Sequence, residues 1–567
     1  MTSPLLVPFN LTVTVAAPVH IGSGERITSS EFNIRMRGQQ DYLSVFGLDE
    51  LLRWIAAQPN PERLANLLTA SLKNPSKGDI SSFLHEYKVP PDQTQIYALP
   101  VAKHFPSNER VTEVLTFIKT AGRHVFLPGS SLKGALRSSL LRGALIQKEE
   151  LRKSVETLVT ESLKRNEKRT NSAAIEAEVF VKPQVKPARW SNYDVNRLLH
   201  IRDSAYFEPQ DALQLYAVRM LSVSKKGSLE YKINLSSRNP VTLFVEMLPI
   251  GFEVTLPAVW QAYLLSDLAA EIRQADREAV LLFWNDFVRQ ASINLLEQEA
   301  NFYERHGRSE LKDWFEERLK QMENSGDGTV FLPLGWGSGY DAKTITDLFS
   351  EQTFEAVASA FAQKHLRAFR NVKGLGRPGN LPSAKWLGKD DSPKSRKVIY
   401  LSETEALPLG WVAVRLQPAD EAAAGWLQTE QNRLSRYKPA VQIRPQPVES
   451  GEPSPPAPQA APQTQPPSAA AQSKPAAPVK SQPKALISKF DRTPKVGEVF
   501  EGAYVDEDNG EVLYEIPGLD FDEQAYAVVL RSQYPNFPKK MQRCKLTVEK
   551  VEEVGKNYHK VICDPEW

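Results

Sequence analysis

An α+β fold is what this sequence predicts: two successive modules, then a linker and a small β-barrel. Three observations lead there. Residues 11–15, Leu-Thr-Val-Thr-Val, alternate with the period of a half-buried strand. A strand, a glycine-rich turn and a helical pattern follow one another again around residues 334–344. Composition then changes abruptly after Tyr437, and strand alternation returns at Val496. At 567 residues the chain is long enough for three or four domains of ordinary size.

The first strand leads into a turn at 18–25, PVHIGSGE, where His20 stands at the strand end and Gly22 and Gly24 allow close backbone approach. Pro128-Gly129 makes the next turn. Ser130 and Ser131 are placed to cap the helix that follows, and Lys133 and Arg137 lie four residues apart on one of its faces. Such a helix start offers unpaired N–H groups to an anion. The competing reading is an ordinary capped helix with a solvated basic face. Residues 200–207, HIRDSAYF, set Arg202 beside Asp203, a carboxylate suited to ordering its own loop through backbone N–H groups.

Residues 241–247 and 252–256 flank Pro249-Ile250-Gly251, the pattern of a hairpin, and a long helical pattern runs from about residue 265 to 305. In residues 333–344, PLGWGSGYDAKT, Gly335, Gly337 and Gly339 alternate with Trp336, Ser338 and Tyr340. A helix carrying Lys343 is expected to begin at Asp341. The two rings offer flat faces that either stack on a base or pack between modules. The spacing is neither that of a P-loop nor that of a dinucleotide fingerprint. PLGW at 408–411 closes on a further hydrophobic strand, read over 411–416.

A formal charge of +2 excludes a polybasic molecule, so any polyanion must meet local patches. Residues 364–397 form one, with an excess of eight positive charges and with Phe369 and Trp386 interleaved. Such a run either binds phosphates without sequence preference or is a solvated loop. Two cysteines, Cys544 and Cys563, form no CxxC pair, and no His/Cys cluster has zinc spacing; neither metal nor cofactor is expected. No disulfide framework, no apolar run near the ~20 residues of a membrane span and no N-terminal targeting pattern lead to the expectation of a soluble, cytoplasmic protein without a membrane partner.

Residues 439–483 hold 13 prolines, and no aromatic residue occurs between Tyr437 and Phe490, which predicts an extended, disordered tether. Beyond it, 496–502 reads as a strand, Asp508-Asn509-Gly510 as a turn with Val512, Tyr514 and Ile516 alternating after it, and 544–551 and 558–562 as two more strands. A small β-barrel is expected, and VGEVFEGAYV resembles the opening of OB-fold or S1-type RNA-binding domains. The expected division is residues 1–205, 206–437, 438–488 and 489–567.

PVHIGSGE, PGSSLKGALR at 128–137, HIRDSAYF and LGWGSGYDAKT at 334–344, in this order and with PLGW after them, resemble the RAMP superfamily of CRISPR systems. Within it they are most similar to the Csm subunits that cap the 3′ end of the guide RNA in type III-A effector complexes. The resemblance covers residues 5–420; the tail lies outside the usual pattern. It implies two fused ferredoxin-like (RRM-type) βαββαβ modules and no catalytic centre. It also implies crRNA and the repeated backbone subunits as partners, along with target RNA and a recruited nuclease. On that implication the RNA-binding residues are His20, Gly22, Gly24, Ser130, Ser131, Lys133, Arg137, Arg202, Gly335, Trp336, Gly337, Gly339 and Lys343. Two alternatives stay open. One is a RAMP-fold endoribonuclease that processes crRNA precursors with His20 as general base, although the sequence identifies no Tyr or Lys partner for it. The other is a protein-only scaffold.

Overall fold

Val7, Phe9, Leu11, Val13 and Val15 are buried on one face of the first strand while the residues between them are exposed or half-buried, so the period of two holds over its whole length. The protein is described by a computed structural model. The described residues are 5–37, 40–73, 80–106, 109–164, 172–181, 185–224, 227–234, 239–265, 274–365, 393–439, 497, 499–508, 511–515, 527–530, 543–555 and 558–566. The expected tether and most of the basic run at 364–397 lie outside them.

The chain divides into two units, Met1–Glu449 and Ser450–Trp567. In chain order the strands of the first are β1 (Val7–Ala17), β2 (Gly22–Thr28), β3 (Phe32–Arg37), β4 (Gln40–Phe46), β5 (Gln95–Pro100), β6 (Glu113–Phe117), β7 (Leu199–Ile201), β8 (Gln214–Val223), β9 (Leu229–Tyr231), β10 (Thr242–Met247), β11 (Glu253–Trp260), β12 (Val330–Pro333), β13 (Ser395–Tyr400), β14 (Ala406–Leu407) and β15 (Trp411–Pro418). One sheet has the order β12-β15-β1-β11-β7 and a second the order β14-β13-β8-β10-β6-β2, with β9 added beside β8. A third, β3-β4-β5, adjoins short helices that bury a separate small core around Phe46, Leu51, Phe83 and Leu84. Strands from both sides of residue 205 share each of the first two sheets.

In the second unit, β16 (Val499–Asp508), β17 (Glu511–Glu515), β18 (Ala527–Leu530), β19 (Arg543–Gly555) and β20 (Tyr558–Glu566) close in the order β16-β17-β18-β20-β19. The two-residue connection from Asp508 to Glu511 is where the Asn-Gly signal stands.

Four local expectations are corrected. Residues 241–256 are not a hairpin: β10 pairs with β8 and β6, β11 pairs with β1 and β7, and the turn between them carries the chain from one sheet to the other. Gly251 N–H donates to Val15 O and Val15 N–H to Phe252 O, both at 2.9 Å, which ties that turn to β1 instead. The long helix is interrupted. Helices Ala275–Leu282 and Trp284–Arg305 meet at Phe283, a buried residue that leaves helical geometry at φ −98°, ψ 35°. The stretch after Asp341 forms two single 3₁₀ turns, Asp341–Lys343 and Thr346–Leu348, because buried side chains claim its carbonyls, as described below. Lastly, helix Gly129–Gln147 starts after an extended Pro128, and neither Ser130 nor Ser131 caps it; Asp203 Oδ1 accepts from Gly129 N–H at 2.8 Å.

Candidate functional site

The four sequence motifs meet. Pro18–Ile21 runs from β1 in the first sheet to β2 in the second, and the glycine-rich loop after β12 lies directly on it. Trp336 N–H donates to His20 O at 2.8 Å. Gly335 has φ +81°, and a Cβ there would stand 2.3 Å from the same carbonyl, so only glycine lets the loop seat. Gly410 of the PLGW motif completes the clamp, donating to Pro18 O and accepting from Leu334 N–H, both at 2.7 Å.

The HIRDSAYF loop braces the start of helix Gly129–Gln147. Beyond the Asp203 cap, Ser204 Oγ accepts from Leu127 N–H at 2.8 Å, and a Cβ on Gly129 would stand 2.5 Å from the carbonyls of Ile201 and Arg202. The helix therefore cannot draw away from this loop without losing its cap.

Between β2, β6, this helix and the glycine-rich loop lies a cleft of about 680 Å³. His20, Gly22 and Gly24 line it from the first motif, Ser131 from the second, and Gly335, Trp336 and Lys343 from the fourth. The helix presents small residues to it, Ser131, Gly134, Ala135 and Ser138. Arg26 and Glu113 line it as an ion pair at 2.7 Å. Gly337 and Gly339 line a second pocket of about 320 Å³, shared with Trp336 and Lys343.

The remaining expected contacts lie elsewhere. Lys133 Nζ donates to Leu199 O at 2.6 Å, and burial lowers the pKa of its ammonium. Arg137 is held by Glu176 at 2.6 Å and Asp194 at 2.7 Å, over the Phe180 ring. Neither lines the cleft, nor do Ser130 and Arg202, which are exposed. Trp336 is half-buried on a cluster containing Tyr216, Val218, Val245 and Met247, and its ring meets His20 edge-on at 5.8 Å.

His20 is 4% exposed. Its Nδ1–H donates to Glu246 O at 2.8 Å, which leaves Nε2 as the free acceptor; burial holds its pKa below the usual histidine value. Behind it, the fully buried Glu246 side chain accepts from Tyr97 Oη at 2.6 Å, Phe117 N–H at 2.8 Å and Lys119 Nζ at 2.5 Å. Burial and the Glu246 charge push the Tyr97 hydroxyl well above its usual pKa. None of these three side chains lines the cleft. Sequence reasoning missed them, yet Glu246 had a signal: it is the lone charge in the apolar run Val241–Met247, which demands buried partners.

A second buried network fixes the far end of the loop. Arg142, 2% exposed, binds Asp347 bidentately at 2.6 and 2.7 Å and donates to Asp341 O at 2.7 Å and Thr344 O at 3.0 Å. Arg396 pairs with Glu299 at 2.9 Å and with Asp341 Oδ2 at 3.5 Å. Burial pushes the Asp341 carboxyl up to about 7 despite the nearby Arg396 charge. Among the described residues, no group of three or more His, Cys, Asp or Glu is placed to hold a metal ion, and no helix is long and apolar enough to cross a membrane.

Comparison with known proteins adds three findings. Residues 12–339 match the model of the RAMP superfamily. A stretch of 138 residues is 28% identical to the CRISPR system Cms protein Csm5 of Streptococcus thermophilus, covering 24% of this chain and 38% of that relative. Two solved structures overlay on the chain. A chain of a Csm–crRNA–target RNA ternary complex from a type III-A CRISPR-Cas system does so with a TM-score of 0.46, 20% identity, 72% of this chain and 100% of its own. Csm5 of T. onnurineus does so with a TM-score of 0.45, 18% identity, 71% of this chain and 99% of its own.

Proposed function

This chain belongs to the RAMP superfamily, and from that premise we propose that it is a crRNA-binding, non-catalytic subunit of a type III-A CRISPR (Csm) interference complex. In this reading it caps the crRNA 3′ end and the filament of backbone subunits and supports crRNA maturation in the cytoplasm. Its partners are crRNA, the other complex subunits, target RNA and a recruited nuclease. The first unit is read as two ferredoxin-like modules interleaved in one body, and the closed sheet of the second as an OB-like barrel on a Pro-rich tether.

The carrying observation is the convergence of His20, Gly22, Gly24, Ser131, Gly335, Trp336 and Lys343 on one cleft whose helical wall is built of small residues. Such a wall admits a nucleic-acid backbone to van der Waals distance. The non-catalytic reading is supported by His20, whose ring is buried and whose Nδ1 is committed to Glu246 O. Tyr97 and Lys119 are likewise committed to Glu246 and do not line the cleft.

Isolation of the assembled complex with and without this chain tests the proposal. Short RNAs sharing one 5′ tag, with 3′ ends that lengthen when the chain is absent, are the expected result. Unchanged 3′ ends would overturn the capping role. Ultraviolet crosslinking separates the scaffold alternative, which yields no RNA adduct on peptides containing Trp336 or Lys343. Site-specific cleavage of repeat RNA in EDTA, abolished by His20→Ala, would replace the binding reading by the endoribonuclease.

A further inference from the structure

We propose that Lys343 and Lys397 together form a phosphate-binding subsite for single-stranded RNA, in the second pocket, which shares Trp336 and Lys343 with the main cleft. The inference rests on the RNA-binding reading above and adds Lys397, a residue of β13. Both lysines line the 320 Å³ pocket with Gly337 and Gly339, and Lys397 Nζ stands 5.1 Å from the centre of the Trp336 ring.

Charge balance points to an anion. Among the described residues, neither lysine forms an ion pair with a carboxylate. Arg396, which also lines the pocket, is paired with Glu299 at 2.9 Å and with Asp341 at 3.5 Å. Burial and the charge of Lys397 both lower the Lys343 pKa, so two like charges share a partly desolvated space with no carboxylate paired to either among the described residues. A phosphodiester between them removes the repulsion and accepts hydrogen bonds from both ammonium groups. Lys343 lines the main cleft as well, but the other cation there, Arg26, is already paired with Glu113. Trp336 and Lys343 line both spaces, so a strand in the cleft that contacts them has Lys397 within the adjoining pocket. Lys397 is also the last residue of the basic run 364–397 in the sequence.

The test measures affinity of the full chain for a 5′-labelled single-stranded RNA of mixed sequence across a salt series. The variants are Lys343→Gln, Lys397→Gln, the double substitution and Lys397→Arg. Each glutamine is expected to weaken binding severalfold and to reduce the log–log salt slope by about one. The double variant is expected to lose no more slope than either single one, since one phosphate is shared. Arginine at 397 should retain the wild-type slope. Wild-type binding with unchanged slopes in both glutamine variants overturns the subsite and leaves the RNA-binding reading standing. A double variant that loses about two units overturns the sharing. Failure of the wild type to bind overturns both. Amine acylation of the wild type, read by mass spectrometry, provides a measurement free of variants. Bound RNA should protect both lysines, and undiminished labelling of the pair overturns the proposal.

Discussion

Arg142 holds a buried carboxylate and two carbonyls at once, so its removal strands Asp347 without a counter-charge. Arg142→Met should destabilise the first unit by about 3–5 kcal/mol in chemical denaturation, because the charge left behind stays desolvated. Asp341, in the same network, makes stability depend on pH. Its carboxyl titrates near 7 when folded and near 3.8 when free, chiefly through burial. A folded value above the unfolded one means that its contribution is whole below about pH 4 and is lost as the pH rises through about 7. Asp341→Asn should flatten that fall when urea midpoints are compared between about pH 4 and pH 8. An equally steep fall in the variant would assign the slope to another group.

Helix Gly129–Gln147 owes its start to a loop more than seventy residues downstream in sequence. Asp203→Ala should cost about 1 kcal/mol in thermal melting through the lost cap. Gly129→Ala should cost more, since backbone carbonyls of Ile201 and Arg202 occupy the space of a Cβ and cannot rotate away. This dependence explains what the sequence does and does not disclose. β1 was legible because one face of it is core and the other is not. Ser130 and Ser131 look like caps because cap propensity is local, whereas the true partner, Asp203, is long-range. The pattern at 241–256 identifies two strands and a turn but contains nothing about partners, and β10 and β11 pair with strands far away in sequence. The motifs of the cleft were legible by residue type. The inward aim of Lys133 and Arg137 was not, because Leu199 O, Glu176 and Asp194 lie remote in the chain.

For the whole molecule, the division into Met1–Glu449 and Ser450–Trp567 sets an expectation for dissection. Residues 1–437 expressed alone should melt in one cooperative transition and retain RNA binding, because every residue lining the cleft lies within them. Loss of the single transition would mean that the tail is part of the same folding unit, and loss of RNA binding alone would assign that affinity to the barrel. A fragment ending at residue 205, by contrast, should fail to fold, since it holds β1 and β7 without β11 or β15.

The position of β1 between β11 and β15 also sets a timetable for synthesis. The central strand of the first sheet leaves the ribosome first, and its last neighbour follows about four hundred residues later. At ordinary elongation rates that is a wait of about 20–80 s, during which Val13 and Val15 have no second strand beside them. A pause in translation before Trp411 prolongs the interval in which the nascent chain offers an open edge to other chains. Codon speed across the middle of the gene, and the supply of chaperones that hold such an edge, therefore bear on yield as directly as any contact in the finished protein.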